Sequence, residues 1–300
     1  MTKGQIVKAL AGYYFVKTCE GVYMCRARGI FKKNNITPLV GDFVNITIQD
    51  EEEGVIEEIL PRKNAFVRPP VANVDMFIVT VSVVSPEINT EIIDKFLVSA
   101  EAANAEAVLC INKVDLSASE AKRIEKIYKK IYNVVLVSAL TGEGEDELIE
   151  ICKGKNVAFA GASGVGKTSL LGRITKLDNL ETGDVSRKTG RGKHTTRLVE
   201  IFETSDGTKI YDTPGFTSFD VIEIGDERLD RFFPEFKKYL GKCRFDNCAH
   251  EVEPDCAIIE AVEKGEIGKT RYRSYLTLLE IIRTGIKKKR PEFVKGRKSG

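Results

Sequence analysis

The chain has 300 residues, 42% hydrophobic and 30% charged, with a formal net charge of only +2. That is the composition of a globular protein with material for two or three domains, and the overall charge selects no class of partner. No apolar run approaches the roughly 18 residues that span a bilayer. The start, Met1-Thr2-Lys3-Gly4-Gln5, lacks the apolar core of a signal peptide, so a cytoplasmic protein without a membrane partner is expected.

Residues 13–16, 22–27, 40–48 and 55–60 read as short strands separated by Gly, Asn and acidic turns, which suggests a small antiparallel barrel. Arg26, Arg28, Lys32 and Lys33, with Tyr23 and Phe31, form a candidate nucleic-acid face on it, against the alternative of a solvated strand surface. A boundary near Pro61 and Pro69-Pro70 gives a first domain over residues 1–68.

Residues 69–220 read as a second domain. Apolar runs at 107–111, 134–137, 157–160 and 209–211 are each followed at once by a polar motif. Residues 118–131 carry Ile124, Ile127 and Ile131 at helical core spacing. Alternating strands and helices imply a doubly wound, mostly parallel sheet, which binds ligands outside the carboxyl ends of its strands.

The motifs are those of a P-loop GTPase. Gly161-Ala162-Ser163-Gly164-Val165-Gly166-Lys167-Thr168, continued by Ser169, matches the phosphate-binding G-x-x-x-x-G-K-[ST]. Backbone N–H groups at a helix N-terminus cradle the phosphates. Lys167 reaches the β- and γ-phosphates, and the Thr168 hydroxyl ligates Mg²⁺. In Asn112-Lys113-Val114-Asp115, the Asp115 carboxylate can accept the adjacent N1–H and N2–H₂ donors that guanine has and adenine lacks. Asn112 ties this loop to the P-loop or the base, and the Lys113 stem lies over the purine. Ser138-Ala139 offers the Ala139 N–H to the guanine carbonyl. Asp212 of Asp212-Thr213-Pro214-Gly215 holds the Mg²⁺ shell through water, and the Gly215 N–H meets the γ-phosphate. Thr195-Thr196 supplies the switch threonine, on a segment (184–197) whose glycines and charges suggest mobility.

Two features set this chain apart. The order is guanine loop, Ser138-Ala139, P-loop, switch threonines, Asp212 motif, a circular permutation of the Ras-like order. Phe216 stands where Ras-like enzymes place a water-orienting Gln directly after the D-x-x-G motif. Slow intrinsic hydrolysis follows, and His194, one of only two histidines, is the nearest candidate for the missing role. An RNA contact or a solvated loop histidine is the alternative.

Residues 221–300 read as a third domain. Cys243, Cys248, His250 and Cys256 are four soft ligands within fourteen residues, enough for a closed tetrahedral zinc shell. A disulfide pair or an iron–sulfur cluster is the less favoured reading. Residues 264–300 carry 12 Lys/Arg against three acidic residues. Lys287 to Arg290, with Lys295, Arg297 and Lys298, read as a phosphate-binding segment.

The barrel, the permuted loops with Gly192-Lys193-His194-Thr195-Thr196, and the C-x4-C-x-H-x5-C cluster together resemble the ribosome small-subunit-dependent GTPase A (RsgA) family, over essentially the whole chain. Residues 68–75, from Arg68-Pro69-Pro70 to Asn73-Val74-Asp75, resemble its interdomain linker. The resemblance implies an OB-fold, a GTPase domain and a zinc-bearing helical domain. It implies GTP hydrolysis stimulated by the small ribosomal subunit late in that subunit's maturation, with ribosomal RNA and GTP/GDP as partners, and no DNA. It makes Thr196 the switch threonine and His194 the hydrolysis residue, so that His194, Thr196 and Lys167 form the catalytic set, with Thr196 joining Thr168 and Asp212 on Mg²⁺. A monomer is expected. The competing readings are an RNA-binding assembly factor using GTP as a switch with incidental turnover, and a nucleotide kinase, against which Asn112–Asp115 weighs.

Overall fold

The computed structural model describes residues 1–66, 69–177, 199–212 and 226–289. The chain divides into two compact units, Met1–Ile88 with Ala103–Ser218, and Asn89–Ala102 with Phe219–Gly300.

In the first unit, β1 (Thr2–Leu10), β2 (Tyr13–Lys17), β3 (Val22–Ala27), β4 (Phe43–Ile48) and β5 (Glu53–Ile59) close a five-stranded barrel, with the short helix α1 (Gly29–Lys33) between β3 and β4. The pairs β1–β2, β2–β3, β4–β5 and β1–β4 are antiparallel, while β3–β5 is parallel. Side chains alternate as half-buried strands require, and Ile6, Val16, Cys25, Val44, Ile46 and Ile56 are fully buried. β1 is not among the strands expected from the sequence, because Lys3, Gly4, Gln5 and Lys8 interrupt its apolar pattern. Gly4 is there for close approach, since a Cβ would sit 2.5 Å from Val16 and 2.8 Å from the Lys17 carbonyl.

A two-stranded hairpin, β6 (Ala65–Phe66) with β7 (Val71–Ala72), leads into the sheet. This linker is stitched to the barrel: Arg62 makes paired 2.7 Å bonds to the fully buried Asp42 carboxylate, and Asn73 Nδ2 donates to the Gly41 carbonyl at 3.0 Å. Gly41, at φ +98°, leaves no space for a side chain, since a Cβ would lie 2.1 Å from the Ala72 carbonyl.

The chain continues as β8 (Met76–Ser82), α2 (Thr90–Ala102), β9 (Glu106–Asn112), α3 (Ala118–Tyr128), β10 (Asn133–Leu136), α4 (Glu145–Cys152), β11 (Asn156–Ala160), α5 (Lys167–Leu177), β12 (Val199–Glu203) and β13 (Lys209–Asp212). The sheet order is β10-β9-β8-β11-β13-β12, parallel except for β12. All seven side chains of β8 are buried, the signature of a central strand covered on both faces. One face packs Ile78, Val108, Val135 and Phe159 against Leu148 of α4 and Leu170 and Ile174 of α5. The sheet does not stop at β12. That strand pairs antiparallel with β1, Lys8 opposite Glu200, so the barrel and the doubly wound sheet share hydrogen bonds.

The second unit gathers α2, the 3₁₀ turns Asp226–Phe232 and Pro234–Phe236, α6 (Ala257–Glu263) and α7 (Lys269–Lys289). Val98 of α2 belongs to one core with Leu229, Phe233, Phe236, Ile258, Tyr275 and Ile282. No helix among the described residues is long and apolar enough to cross a membrane.

Candidate nucleotide site and metal centre

The P-loop runs from the end of β11 into α5. Gly161 at φ +142° and Gly166 at φ +98° take backbone conformations that side chains oppose. Each also makes room for a neighbour. A Cβ at Gly161 would lie 2.2 Å from the Thr80 carbonyl, and one at Gly166 would lie 2.2 Å from Asn112 Nδ2. Lys167 Nζ donates to the carbonyls of Gly161 and Ala162, both at 2.8 Å. Burial pulls its ammonium below the ordinary lysine value, a shift that anionic phosphate oxygens oppose. Ser163, Gly164, Thr168 and Ser169 are exposed, while Val165 is buried and anchors the loop.

The guanine-reading loop lies against the P-loop. Asn112, 1% exposed, donates from Nδ2 to the Val165 carbonyl at 2.9 Å. Its Oδ1 accepts from the backbone N–H of Lys113 at 2.8 Å and of Ala139 at 3.1 Å. Lys113 holds the left-handed conformation, φ +65°, and its Nζ donates to the carbonyls of Gly164 at 2.9 Å and Ser85 at 2.8 Å. Asp115 Oδ1 accepts from the Ser138 hydroxyl at 2.5 Å, which orients the carboxylate. The structure thus brings Asn112, Lys113, Asp115, Ser138 and Ala139 together with Gly164, Val165 and Gly166. The Ala139 N–H, expected to face a guanine carbonyl, points at Asn112.

Asp212 ends β13, the parallel neighbour of the strand that feeds the P-loop. Glu200 of β12 is its register partner. Burial, and then the Glu200 carboxylate, push the Asp212 carboxyl above its ordinary value. A divalent cation is the group that would reverse this.

His194, Thr195, Thr196, Gly215 and Phe216, with Arg68 and the residues from Arg290 onward, lie outside the described residues. Two site contacts had no signal in the sequence. Ser85 acts through its carbonyl, which any residue possesses. Arg173 of α5 is ion-paired with the buried Glu145, tying the P-loop helix to the start of α4, and nothing in the spacing marks it.

In the second unit, Cys243, Cys248, His250 and Cys256 place their ligand atoms within 4.8 Å of one another. Cys243 Sγ lies 3.8 Å from Cys256 Sγ, and His250 Nδ1 lies 3.6 and 3.3 Å from those two sulfurs. A tetrahedral zinc ion with bonds of about 2.3 Å to sulfur and 2.0 Å to nitrogen sets S–S edges of about 3.8 Å and S–N edges of about 3.5 Å. The donors therefore fit zinc, with Nδ1 as the ligating nitrogen. Burial pushes the Cys248 and Cys256 thiols up, a cost that a bound cation removes. Around them, Tyr272 and Tyr275 donate to the carbonyls of His250 and Ala249 at 2.6 and 2.8 Å. Asp230 Oδ2 faces His250 Nε2 at 3.5 Å, the usual place for a carboxylate behind a metal-bound imidazole.

The RsgA GTPase family model matches residues 59–222, and the RsgA N-terminal domain model matches residues 3–56. A small ribosomal subunit biogenesis GTPase RsgA from Caldanaerobacter subterraneus subsp. tengcongensis is 49% identical, over 94% of this chain and 96% of its own. The protein of the same name from Geobacillus kaustophilus is 43% identical over 98% of this chain and all of its own. Among solved structures, YjeQ from Thermotoga maritima superposes with a TM-score of 0.81 at 38% identity, covering 94% of this chain and 98% of that one. YloQ, described as a circularly permuted GTPase, superposes with a TM-score of 0.76 at 36% identity, covering 98% and 97%. With a closed barrel, a permuted P-loop domain and a Cys₃His cluster in one chain, this protein belongs to the RsgA family of GTPases.

Proposed function

We propose that the protein binds the small ribosomal subunit in the cytoplasm and hydrolyses GTP to GDP and phosphate during late maturation of that subunit, as a monomer, in contact with ribosomal RNA rather than DNA. The observation that carries this reading is the lock between guanine loop and P-loop, in which Asn112 and Lys113 bond the Val165 and Gly164 carbonyls. It supports reading Asp115, on the loop bonded to the phosphate cradle, as the carboxylate that selects guanine.

In this reading Asp115 selects guanine, with Ser138 fixing Asp115, and Ala139 adds its N–H once that group turns from Asn112 to the base. The backbone from Gly161 to Ser169 and the Lys167 ammonium hold the phosphates. Thr168, Asp212 and Thr196 would hold Mg²⁺, which would supply charge neutralisation to the phosphates. The Gly215 N–H senses the γ-phosphate, and His194 positions or deprotonates the attacking water in place of the Gln that Phe216 replaces. Zinc on Cys243, Cys248, His250 and Cys256 is structural, because four protein donors leave no open position. The basic tail from Lys287 onward binds phosphates of the RNA.

The test is phosphate release from GTP, with ATP as control, alone and with purified small or large ribosomal subunits. Slow GTP-selective turnover that rises sharply with small subunits is the expected outcome. Phe216 favours a second reading, an RNA-binding factor switched by GTP. Turnover that no ribosomal particle stimulates would establish that reading instead.

A further inference from the structure

Barrel strands β1, β2 and β4 and the hairpin of β12 and β13 enclose a recess of about 280 Å³ within the first unit. Its floor is Gln5, 4% exposed. Gln5 Nε2 donates to the Gly41 carbonyl at 3.2 Å, and its Oε1 accepts from Lys209 Nζ at 2.7 Å. A buried amide thus fixes one ammonium in place. Lys3 Nζ lies 5.7 Å and Lys209 Nζ 6.0 Å from the centroid of the Phe43 ring. Neither lysine has a carboxylate partner among the described residues. At the rim, Lys17 pairs with Glu203 at 2.8 Å, and Cys19 is exposed.

Ammonium groups spaced around a half-buried aromatic ring suit a single strand of nucleic acid, with phosphates on the lysines and a base against the ring. The face expected from the sequence is less suited. Phe31 is buried at 8% exposure, Arg28 is paired with Glu57 at 2.6 Å, and Arg26 lies over Tyr13 with its guanidinium 4.9 Å from the ring centroid. The recess also has a route to the nucleotide. Glu203 and Lys209 are register partners at one end of the β12–β13 hairpin, and Glu200 and Asp212 are partners at the other.

We infer that this recess binds a phosphodiester segment of RNA, held by Lys3 and Lys209 and by Lys17 once a phosphate displaces Glu203. The inference rests on the reading of the chain as a small-subunit factor and names a contact for it.

The test compares the full-length protein with a Lys3→Ala/Lys17→Ala variant and a control, Lys122→Ala/Lys126→Ala, which removes two charges from α3. Binding to small subunits is measured across a salt series, and alkylation of Cys19 by a maleimide is timed with small subunits, single-stranded oligouridylate or inorganic tripolyphosphate. The recess variant should bind subunits about 10-fold more weakly and with a shallower salt slope, as expected when two phosphate contacts are lost. The control and the basal GTPase rate should not change. Subunits and oligouridylate should slow Cys19 alkylation. Unchanged affinity together with unprotected Cys19 overturns the inference, as does protection by tripolyphosphate alone, which would mark a free-anion site. If the unmodified protein fails to bind subunits, the functional reading falls. The oligouridylate arm then decides the recess by itself.

Discussion

Arg271 Nη1 donates to Asp94 Oδ1 at 2.5 Å, with the two side chains 1% and 0% exposed. The residues are 177 positions apart, on α7 and α2. Glu235 takes the other edge of the guanidinium, Nε to Oε1 at 2.7 Å, and its plane lies 4.7 Å from the Phe233 ring centroid. This pair ties α2 into the second unit, alongside Val98 in that unit's core.

Arg271→Ala should therefore destabilise the second unit severely. Removing the cation shared by two carboxylates costs about 3–5 kcal/mol, because Asp94 and Glu235 then stay buried with that charge gone. Urea unfolding followed by circular dichroism would show it as an early transition. A midpoint within error of the unmodified protein would contradict the role assigned to this pair. Replacing the whole set, Asp94→Leu with Arg271→Met and Glu235→Leu, should recover part of the loss.

Zinc retention should depend on Asp230 as well as on the four donors. Asp230→Asn should weaken zinc binding at least 10-fold, the effect expected from losing a carboxylate behind a liganding histidine. Competition with a chromophoric chelator measures this without reference to GTP. Cys256→Ser should abolish retention while leaving GTP binding intact.

Asp115→Asn should cost GTP about 100-fold in affinity, since it exchanges two charge-assisted hydrogen bonds for a neutral amide. The same variant should gain affinity for xanthine nucleotides, whose acceptor edge matches an amide donor. Equal losses for both nucleotides would mean that Asp115 shapes the loop instead of reading the base.

Binding of Mg²⁺ with nucleotide should strengthen as pH rises through the raised Asp212 value, because the cation needs the carboxylate. Glu200→Gln removes one cause of the shift, so the rise should move to lower pH in a titration by fluorescent nucleotide. In the ligand-free protein the sign reverses. Folded Asp212 holds its proton more tightly than the unfolded chain, so acidification through that range adds stability. An unmoved profile in Glu200→Gln would remove Asp212 from the site.

What the sequence displayed and what it hid divide on physical lines. The motif loops were legible because each follows a short apolar run that became β9, β10, β11 or β13, and because phosphate and guanine chemistry tolerate few residue types. The Cys₃His cluster was legible for the same reason. β1 was not, because a barrel strand with a polar outer face and a packing glycine has no clean alternation. Arg271 was hidden within the basic C-terminal composition, yet among the described residues it is the largest fully buried side chain. Its partners lie too far away in sequence to suggest neutralisation. Phe31 looked like a stacking ring beside lysines, and tertiary packing turned it inward.

The pairing of β1 with β12 has a consequence for any attempt to cut the protein apart. A sheet ending at β12 would present a row of unpaired N–H and C=O groups, the template on which strands of other molecules add. Here the barrel covers the start of that row, at Val199 and Glu200, and at the far side only the four-residue β10 forms the border. A fragment lacking residues 1–66 would bare the β12 border and self-associate, so the N-terminal barrel serves the GTPase sheet as protection from aggregation, apart from anything it binds.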